Sequence, residues 1–405
     1  MAPELRRITE DTYPGFITNM ERTFGFDYNP DEDTLKPILD LDRAFGHFDS
    51  DQVVSTVGAY SLEMSVPGSV ANCGGTTVVT VAPTHRRQGL LTEMMGRHLD
   101  DIKEHEEPIA ALWASESEIY GRFGYGRATT AAEISVHRRG HPLSRHAPAP
   151  GPVRLVDVEE ARSLVPLFHD RFRLTQPGMF RRWPEWWEAR VFSDFQSRRS
   201  GFTGARWAVI DGEGGIDGYA KYRTKSAPGE DGHSGTEMVI TELFGETPEA
   251  WASLWSFLVN HDLVAKFTAK LRSPEDPIFD LLSGPRRAQT EVDDGLWVRI
   301  MDVPAALTRR HYEGVFTGVI EVHDPMGLAG GTFHLETSTD GSECTPATDD
   351  PDISLDIEDL GGVYMGTGGF RRLARSGRIS GSDEALKAAD LAFGWDPQPW
   401  CPEIF

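Results

Sequence analysis

The residues with the clearest chemistry lie in the run Val79-Thr80-Val81-Ala82-Pro83-Thr84-His85-Arg86-Arg87-Gln88-Gly89-Leu90-Leu91-Thr92. A β-branched strand enters a tight basic loop, and a helix with apolar periodicity leaves it. The first turn of a helix has unpaired N–H groups and sits at the positive end of the helix dipole. Gly89 lets the backbone approach a ligand closely, and Arg86 and Arg87 add charge, so a pyrophosphate suits the loop. The spacing is neither G-x-x-x-x-G-K-[ST] nor G-x-G-x-x-G, which excludes the two common nucleotide loops. An ordinary strand-to-helix connection with surface arginines accounts for the same residues, and the loop alone leaves both readings open.

The elements that must hold this loop read as mixed α and β. Strands are expected at 41–48, 52–66, 76–81 and 109–114, with Tyr125–His137 as a last strand of the first stretch. Helices are expected within 4–26 around Pro14 and from Gly89 to about Glu104, where Leu91, Met95, Leu99 and Ile102 share a face. The stretch runs to about Arg139. It ends in His141-Pro142 and the segment Ala147-Pro148-Ala149-Pro150-Gly151-Pro152, which reads as a linker. The order recurs in the second stretch: a strand pair at 205–210 and 218–224, a strand at 237–244, and a helix opened by Pro248. After Ser283-Gly284-Pro285 come strands at 295–301, 315–323, 331–336 and 353–357, with helices at 305–312, 369–376 and 383–393. This third part is an α+β pattern.

Composition narrows the partners. Forty Lys and Arg against 63 Asp and Glu give a formal charge of −23. That balance argues against nucleic acid and against anchoring on anionic lipid, and it favours cationic small molecules. Cys73, Cys344 and Cys401 are few and scattered, so neither a disulfide framework nor a zinc site is expected, and no metal is implied. No signal segment or membrane-length apolar run is read, so the expected location is the cytoplasm. The tail departs from an ordinary frayed end: Trp395, Trp400, Ile404 and Phe405 are large and apolar, and Pro397, Pro399 and Pro402 stiffen it. It reads as docked.

The motif V-x-V-x-P-x-x-R-R-x-G-L resembles the acetyl-CoA loop of the GCN5-related N-acetyltransferases. Ser115-Glu116 with Ile119-Tyr120-Gly121-Arg122-Phe123-Gly124-Tyr125-Gly126 is similar to the enhanced intracellular survival (Eis) family within that superfamily. So are the run Gly295 to Leu307 and the aromatic C-terminus. The resemblance covers essentially the whole chain. It implies two tandem α/β acetyltransferase domains, 1–150 and a degenerate 151–285, and a sterol-carrier-like α+β domain, 286–405. It also implies a homohexamer that acetylates amines of aminoglycosides or of proteins.

Carried to this chain, the resemblance gives Val79, Thr80 and Val81 the acyl and pantetheine end of acetyl-CoA, held through their backbone. Arg87, Gln88, Gly89, Leu90, Leu91 and Thr92 would cradle the pyrophosphate, and Ser115 and Glu116 end the next strand against it. Tyr120 matches the general acid, although Tyr120, Phe123 and Tyr125 also make sense as an aromatic cluster. The carboxylate of Phe405 matches the general base.

In the second stretch the corresponding loop is Gly245-Glu246-Thr247-Pro248-Glu249, whose glutamates would repel pyrophosphate, so one cofactor site per chain is expected. Asp27, Asp31, Glu32, Asp33, Asp40 and Asp42, interleaved with aromatics, read either as an acidic acceptor pocket or as a solvated loop. Trp183-Pro184-Glu185-Trp186-Trp187 reads as core packing. Three functions remain: transfer to cationic small amines, transfer to protein or peptide lysine, and a lipid-binding module with vestigial transferase domains.

Overall fold

The computed structural model describes residues 2–137, 143–229 and 234–405, so the expected boundary at Arg139 with His141-Pro142 lies outside the described residues. The first sheet runs, edge to edge, Glu4–Arg7, Ala44–Asp49, Ser55–Val66, Ser69–Val81, Ile109–Trp113, Leu296–Ile300 and Gly126–Arg127, with Gln52–Val53 beside Ala44–Asp49. The second runs Ala288–Asp294, Thr130–His137, Val264–Arg272, Thr236–Gly245, Gly215–Lys225, Arg206–Gly212 and Arg154–Val156. The third runs Gly341–Pro346, Gly331–Ser338, Phe316–His323, Ile353–Asp356 and Ser380–Gly381.

Sheet membership crosses the composition boundaries. The expected strand Tyr125–His137 divides into Gly126–Arg127 in the first sheet and Thr130–His137, which pairs with Val264–Arg272 and Ala288–Asp294 in the second. Its Ala132, Ile134 and Val136 enter the second core, so the alternation that marked it as a strand says nothing about which sheet it joins. Conversely, Leu296–Ile300 leaves the third stretch for the first sheet, between Ile109–Trp113 and Gly126–Arg127. All five of its residues are buried, as a strand covered on both faces requires. Its Arg299 is tolerated because Nη2 donates to Asp324 (2.8 Å) and Nη1 to the Phe123 carbonyl (2.6 Å).

The helices Tyr13–Phe24, Leu90–Glu104 and Ile357–Tyr364 pack against the first sheet, the last on Leu296–Ile300 and Gly126–Arg127. Tyr13–Phe24 follows the edge strand Glu4–Arg7 and has Pro14 in its first turn, where its missing N–H costs nothing. Its Tyr13, Phe16, Ile17 and Met20 join the main core. Leu90–Glu104 buries Met94, Met95, Leu99 and Ile102 in a separate cluster, while Leu91, expected on that face, is only half-buried. The helices Val158–Phe172 and Ile357–Tyr364 and the edge strands Ala288–Asp294 and Gly341–Pro346 are not among the elements expected from sequence. The third sheet packs its helices tightly. The Phe393 ring lies 5.2 Å from Tyr312 and 4.9 Å from Phe370, and the buried Arg310 donates to the Tyr364 and Phe393 carbonyls.

Candidate active site

The strands Ser69–Val81 and Ile109–Trp113 run parallel but pair only from Cys73–Ile109 to Gly75–Ala111. Beyond Gly75 the long strand keeps its antiparallel partner as far as the pair Ser55–Val81, and its other edge is free. One extra residue at Val78, with φ +50°, shifts the register opposite Thr56–Gly58. Such a bulge bends a strand and turns it from its neighbour. The Thr80 hydroxyl is held by Asn19 Nδ2 (2.6 Å) and Thr56 Oγ1 (2.5 Å), so its side chain packs while its main chain stays at the free edge.

A cavity of about 510 Å³ opens from this divergence. Val79, Thr80 and Val81 form one wall, and Ser115, Glu116 and Tyr120 form the other. Arg87, Gly89, Leu90, Leu91 and Thr92 close the end, and of the expected loop residues only Gln88 is not part of the lining. Gly89 has φ +87° and precedes Leu90–Glu104 without a side-chain cap. Its carbonyl already accepts from Thr92 and Glu93 (3.0 and 3.2 Å), which leaves the Leu90 and Leu91 N–H groups at the cavity without an acceptor. With Arg86 and Arg87 exposed beside them, this end can hold a phosphate chain. The free strand edges can take a narrow amide-bearing chain between them.

Tyr120 ends the short helix Ser117–Tyr120 and is 4% exposed. Burial pushes its phenol above the ordinary tyrosine value, partly opposed by a hydrogen bond with Ser115. It therefore carries its proton at neutral pH. Its ring meets Tyr125 edge-on at 6.2 Å, so the aromatic cluster and the cavity lining are one arrangement. Behind it, Tyr125 OH bonds Thr76 Oγ1 (2.8 Å), which bonds His98 Nε2 (2.7 Å). Burial lowers His98 to about 3 and keeps it neutral.

Phe405 is not part of this cavity wall. Its ring packs edge-on against Phe180 (5.6 Å) and Tyr60 (6.3 Å). Tyr60 pairs with Gly75, the last paired residue before the strands part, so the chain terminus reaches the first sheet at the divergence. The tail is docked as its composition indicates, except that Ile404 is 59% exposed. Six further residues line the cavity: Thr23 and Phe24 from Tyr13–Phe24, and His85, Arg86, Ile119 and Arg122. The last four sit inside the motifs, whereas nothing in the sequence connects Thr23 and Phe24 with a loop more than fifty residues away.

The acidic segment resolves mostly into local structure. Asp33 accepts from Tyr13 OH (2.9 Å), Tyr28 OH (2.7 Å) and the Leu35 and Lys36 amides, which together hold its carboxyl below the usual range. Asp40 accepts from the Asp42 amide, and Glu32 bonds Ser197 and pairs with Arg198.

The second sheet has the same divergence, closed from within. Thr236–Gly245 and Val264–Arg272 pair in parallel only as far as Ile240–Ala269. Past that point Arg272 Nη1 donates to the Leu243 carbonyl (2.7 Å), and Trp400 Nε1 donates to the Leu271 carbonyl (2.6 Å). The Trp400 ring lies 5.6 Å from Phe244 on the facing strand, under the Arg272 guanidinium at 4.7 Å. The following helix, Pro248–Val259, is capped by Thr247, whose hydroxyl accepts from the Ala250 amide, and Glu246 is tied to Arg171 (2.7 Å). That helix start is thus capped and flanked by glutamates where the first has arginines.

Comparison with known proteins agrees with this geometry. Residues 4–128 and 178–300 each match an acetyltransferase (GNAT) domain, and residues 303–402 match a sterol carrier protein domain. An uncharacterized N-acetyltransferase of Streptomyces griseus is 35% identical over 90% of both chains. The N-acetyltransferase Eis of Mycobacterium tuberculosis is 34% identical over 96% of both. The crystal structure of Eis1 from Mycobacterium abscessus superposes over 99% of this chain and 100% of that one, with a TM-score of 0.86 and 29% identity. A GCN5-related N-acetyltransferase from Anabaena variabilis shares the fold, with a TM-score of 0.84 at 21% identity over both full lengths. With two acetyltransferase domains, a sterol-carrier-like third domain and relatives aligned end to end, the chain belongs to the Eis family of GCN5-related N-acetyltransferases.

Proposed function

We propose that the protein transfers an acetyl group from acetyl-CoA to primary amines of cationic small molecules, with aminoglycosides as the model acceptors. The observation that carries this reading is the first-sheet cleft. One cavity joins free strand edges, an uncapped basic helix N-terminus and a buried, protonated tyrosine. Acetyl-CoA supplies an activated acyl thioester. The main chain of Val79, Thr80 and Val81 would hold its pantetheine arm. Arg87 and the amides from Gly89 to Leu91 would hold its pyrophosphate, with Thr92 at the flank and Ser115 and Glu116 on the opposite wall, while Gln88 lies outside the lining.

As the acceptor nitrogen bonds to the acyl carbon and the carbon–sulfur bond breaks, Tyr120 gives its proton to the departing thiolate. The Phe405 carboxylate takes the proton from the acceptor nitrogen. An α-carboxyl is a weak base, but the nitrogen becomes strongly acidic once it has attacked, and proximity does the rest. The net charge of −23 draws cations towards the molecule.

The same reading places the protein in a reducing cytoplasm, consistent with three cysteines that are all free and buried. It also gives a homohexamer, on the strength of the Eis family likeness. No described helix is long and apolar enough to cross a membrane. Against a carrier function stand the open first cleft and the aromatic filling of the third domain. Thiol release from acetyl-CoA, measured with a panel of aminoglycosides, polyamines and lysine peptides, tests the proposal. Turnover led by aminoglycosides is expected. Turnover led by peptides would move the acceptor class to protein lysine, and no release with any amine would remove the enzyme reading.

A further inference from the structure

The run Trp183-Pro184-Glu185-Trp186-Trp187 reads in sequence as core packing, yet the segment Phe180 to Trp186 that overlaps it also makes polar contacts with the chain terminus. Arg182 is buried, with its side chain 1% exposed. Its Nε donates to Glu403 Oε1 (2.8 Å) and its Nη2 to Glu242 Oε1 (2.6 Å). Trp186 Nε1 donates to the other oxygen, Glu403 Oε2 (2.7 Å). Phe180, two residues before Arg182, meets the Phe405 ring at 5.6 Å. One short segment therefore grips both Glu403 and Phe405.

That segment is fixed in turn to the first sheet. The Ser65 amide donates to the Met179 carbonyl (2.7 Å), the Arg181 amide to the Glu63 carbonyl (2.9 Å), and Met64 bridges to Phe180. Glu63, Met64 and Ser65 continue the strand that holds Tyr60. The tail passes close beside the segment: a Cβ at Gly178 would fall 2.8 Å from the Trp400 carbonyl oxygen, and its φ of +98° also favours glycine.

Two carboxylates sharing one buried arginine form a costly way to fasten a tail. Apolar side chains of the same volume commonly give equal or greater stability. What the charged arrangement adds is direction, since both oxygens of Glu403 are claimed by donors on a rigid segment. Only Ile404 separates Glu403 from the terminal residue Phe405, and two steps of chain span at most about 7 Å.

We infer that the segment Phe180–Trp186 is a socket that positions the terminal carboxylate for catalysis, with Arg182 and Trp186 as positioning residues acting through Glu403. This rests on the reading of the Phe405 carboxylate as the general base.

The test compares Glu403→Gln, Trp186→Phe, a chain extended by one glycine after Phe405, and the extended chain that also has Glu403→Gln. Steady-state rates are measured with acetyl-CoA and the preferred amine of the panel, alongside melting temperatures. Glu403→Gln is expected to lower kcat by about 10–100-fold at unchanged KM for acetyl-CoA, the scale of an ångström-sized misplacement. Trp186→Phe is expected to act in the same direction, and it carries the test if Glu403→Gln fails to fold. In the extended chain, adding Glu403→Gln should slow the residual rate no further, because both changes act on one unit. Wild-type kcat in both point variants beside an inactive extended chain would overturn the socket and leave the terminal base standing. A full further loss in the combined variant would also overturn it. A fully active extended chain would overturn the base reading itself, and the socket with it.

Discussion

The two halves of the enzyme use one strand divergence in opposite ways. In the first, the edge past Gly75 is free, Gly89 leaves the helix uncapped, and the cavity is lined by arginines and Tyr120. In the second, the gap past Ile240 is filled by Trp400 and Arg272, which take up the Leu271 and Leu243 carbonyls. Thr247 caps the helix, and Pro248 has no N–H to offer. A diverging strand pair exposes polar backbone that has to be satisfied by something. Where the chain satisfies it internally the fold is stabilised, and where it does not, a ligand has a place. The difference between the two halves is therefore where the hydrogen bonds go, more than which strands are present.

The largest effect expected from breaking this contrast is at the C-terminus, because the tail serves both halves: Trp400 fills the second cleft and Phe405 reaches the first. A few residues added after Phe405 convert the α-carboxylate into a neutral amide while Trp400 stays docked. Turnover should fall to a small residue at an unchanged melting temperature, whereas an equal extension before Met1 should have no effect. Tyr120→Phe comes next. Loss of one positioned proton donor should lower kcat by about 10²–10⁴-fold with acetyl-CoA affinity retained, as kinetics and calorimetry on the same preparation would read. Arg87→Glu with Gly89→Val gives the first loop the character of the second. It should weaken acetyl-CoA binding by at least about tenfold, measured by calorimetry, while circular dichroism stays native. The smallest effect belongs to the second helix: Thr247→Ala removes its cap and should cost about 1 kcal/mol of stability in denaturant unfolding, with kcat unchanged.

Local chemistry was the part most legible in sequence. The loop from Val79 to Thr92 and the turn around Tyr120 carry their motif within a dozen or so residues, and all but Gln88 of the expected cofactor residues meet in one cavity. Membership across distance was not legible. The alternation of Thr130–His137 specifies a half-buried strand but not its sheet, and the buried run Leu296–Ile300 fits the centre of either neighbouring sheet. The acidic segment illustrates a further limit. Composition leaves Asp33 either at an acidic pocket or on a solvated loop, and only the structure shows two tyrosine hydroxyls and two amides making it a loop staple. Trp400 read correctly as a docked residue, yet its place in the second cleft depends on a contact with Leu271, well over a hundred residues away.

The central claim is that only the first divergence is open to acyl-CoA, and cofactor stoichiometry tests it most directly. Isothermal titration of acetyl-CoA into the wild-type chain and into Glu246→Ala, with protomer concentration fixed by amino-acid analysis, is expected to give one site per chain in both. Removing Glu246 lifts a repelling charge from the second loop, but the Thr247 cap and the Trp400 plug remain. Two sites per chain in either protein, or a single site that survives Arg87→Glu with Gly89→Val at unchanged affinity, would contradict the account.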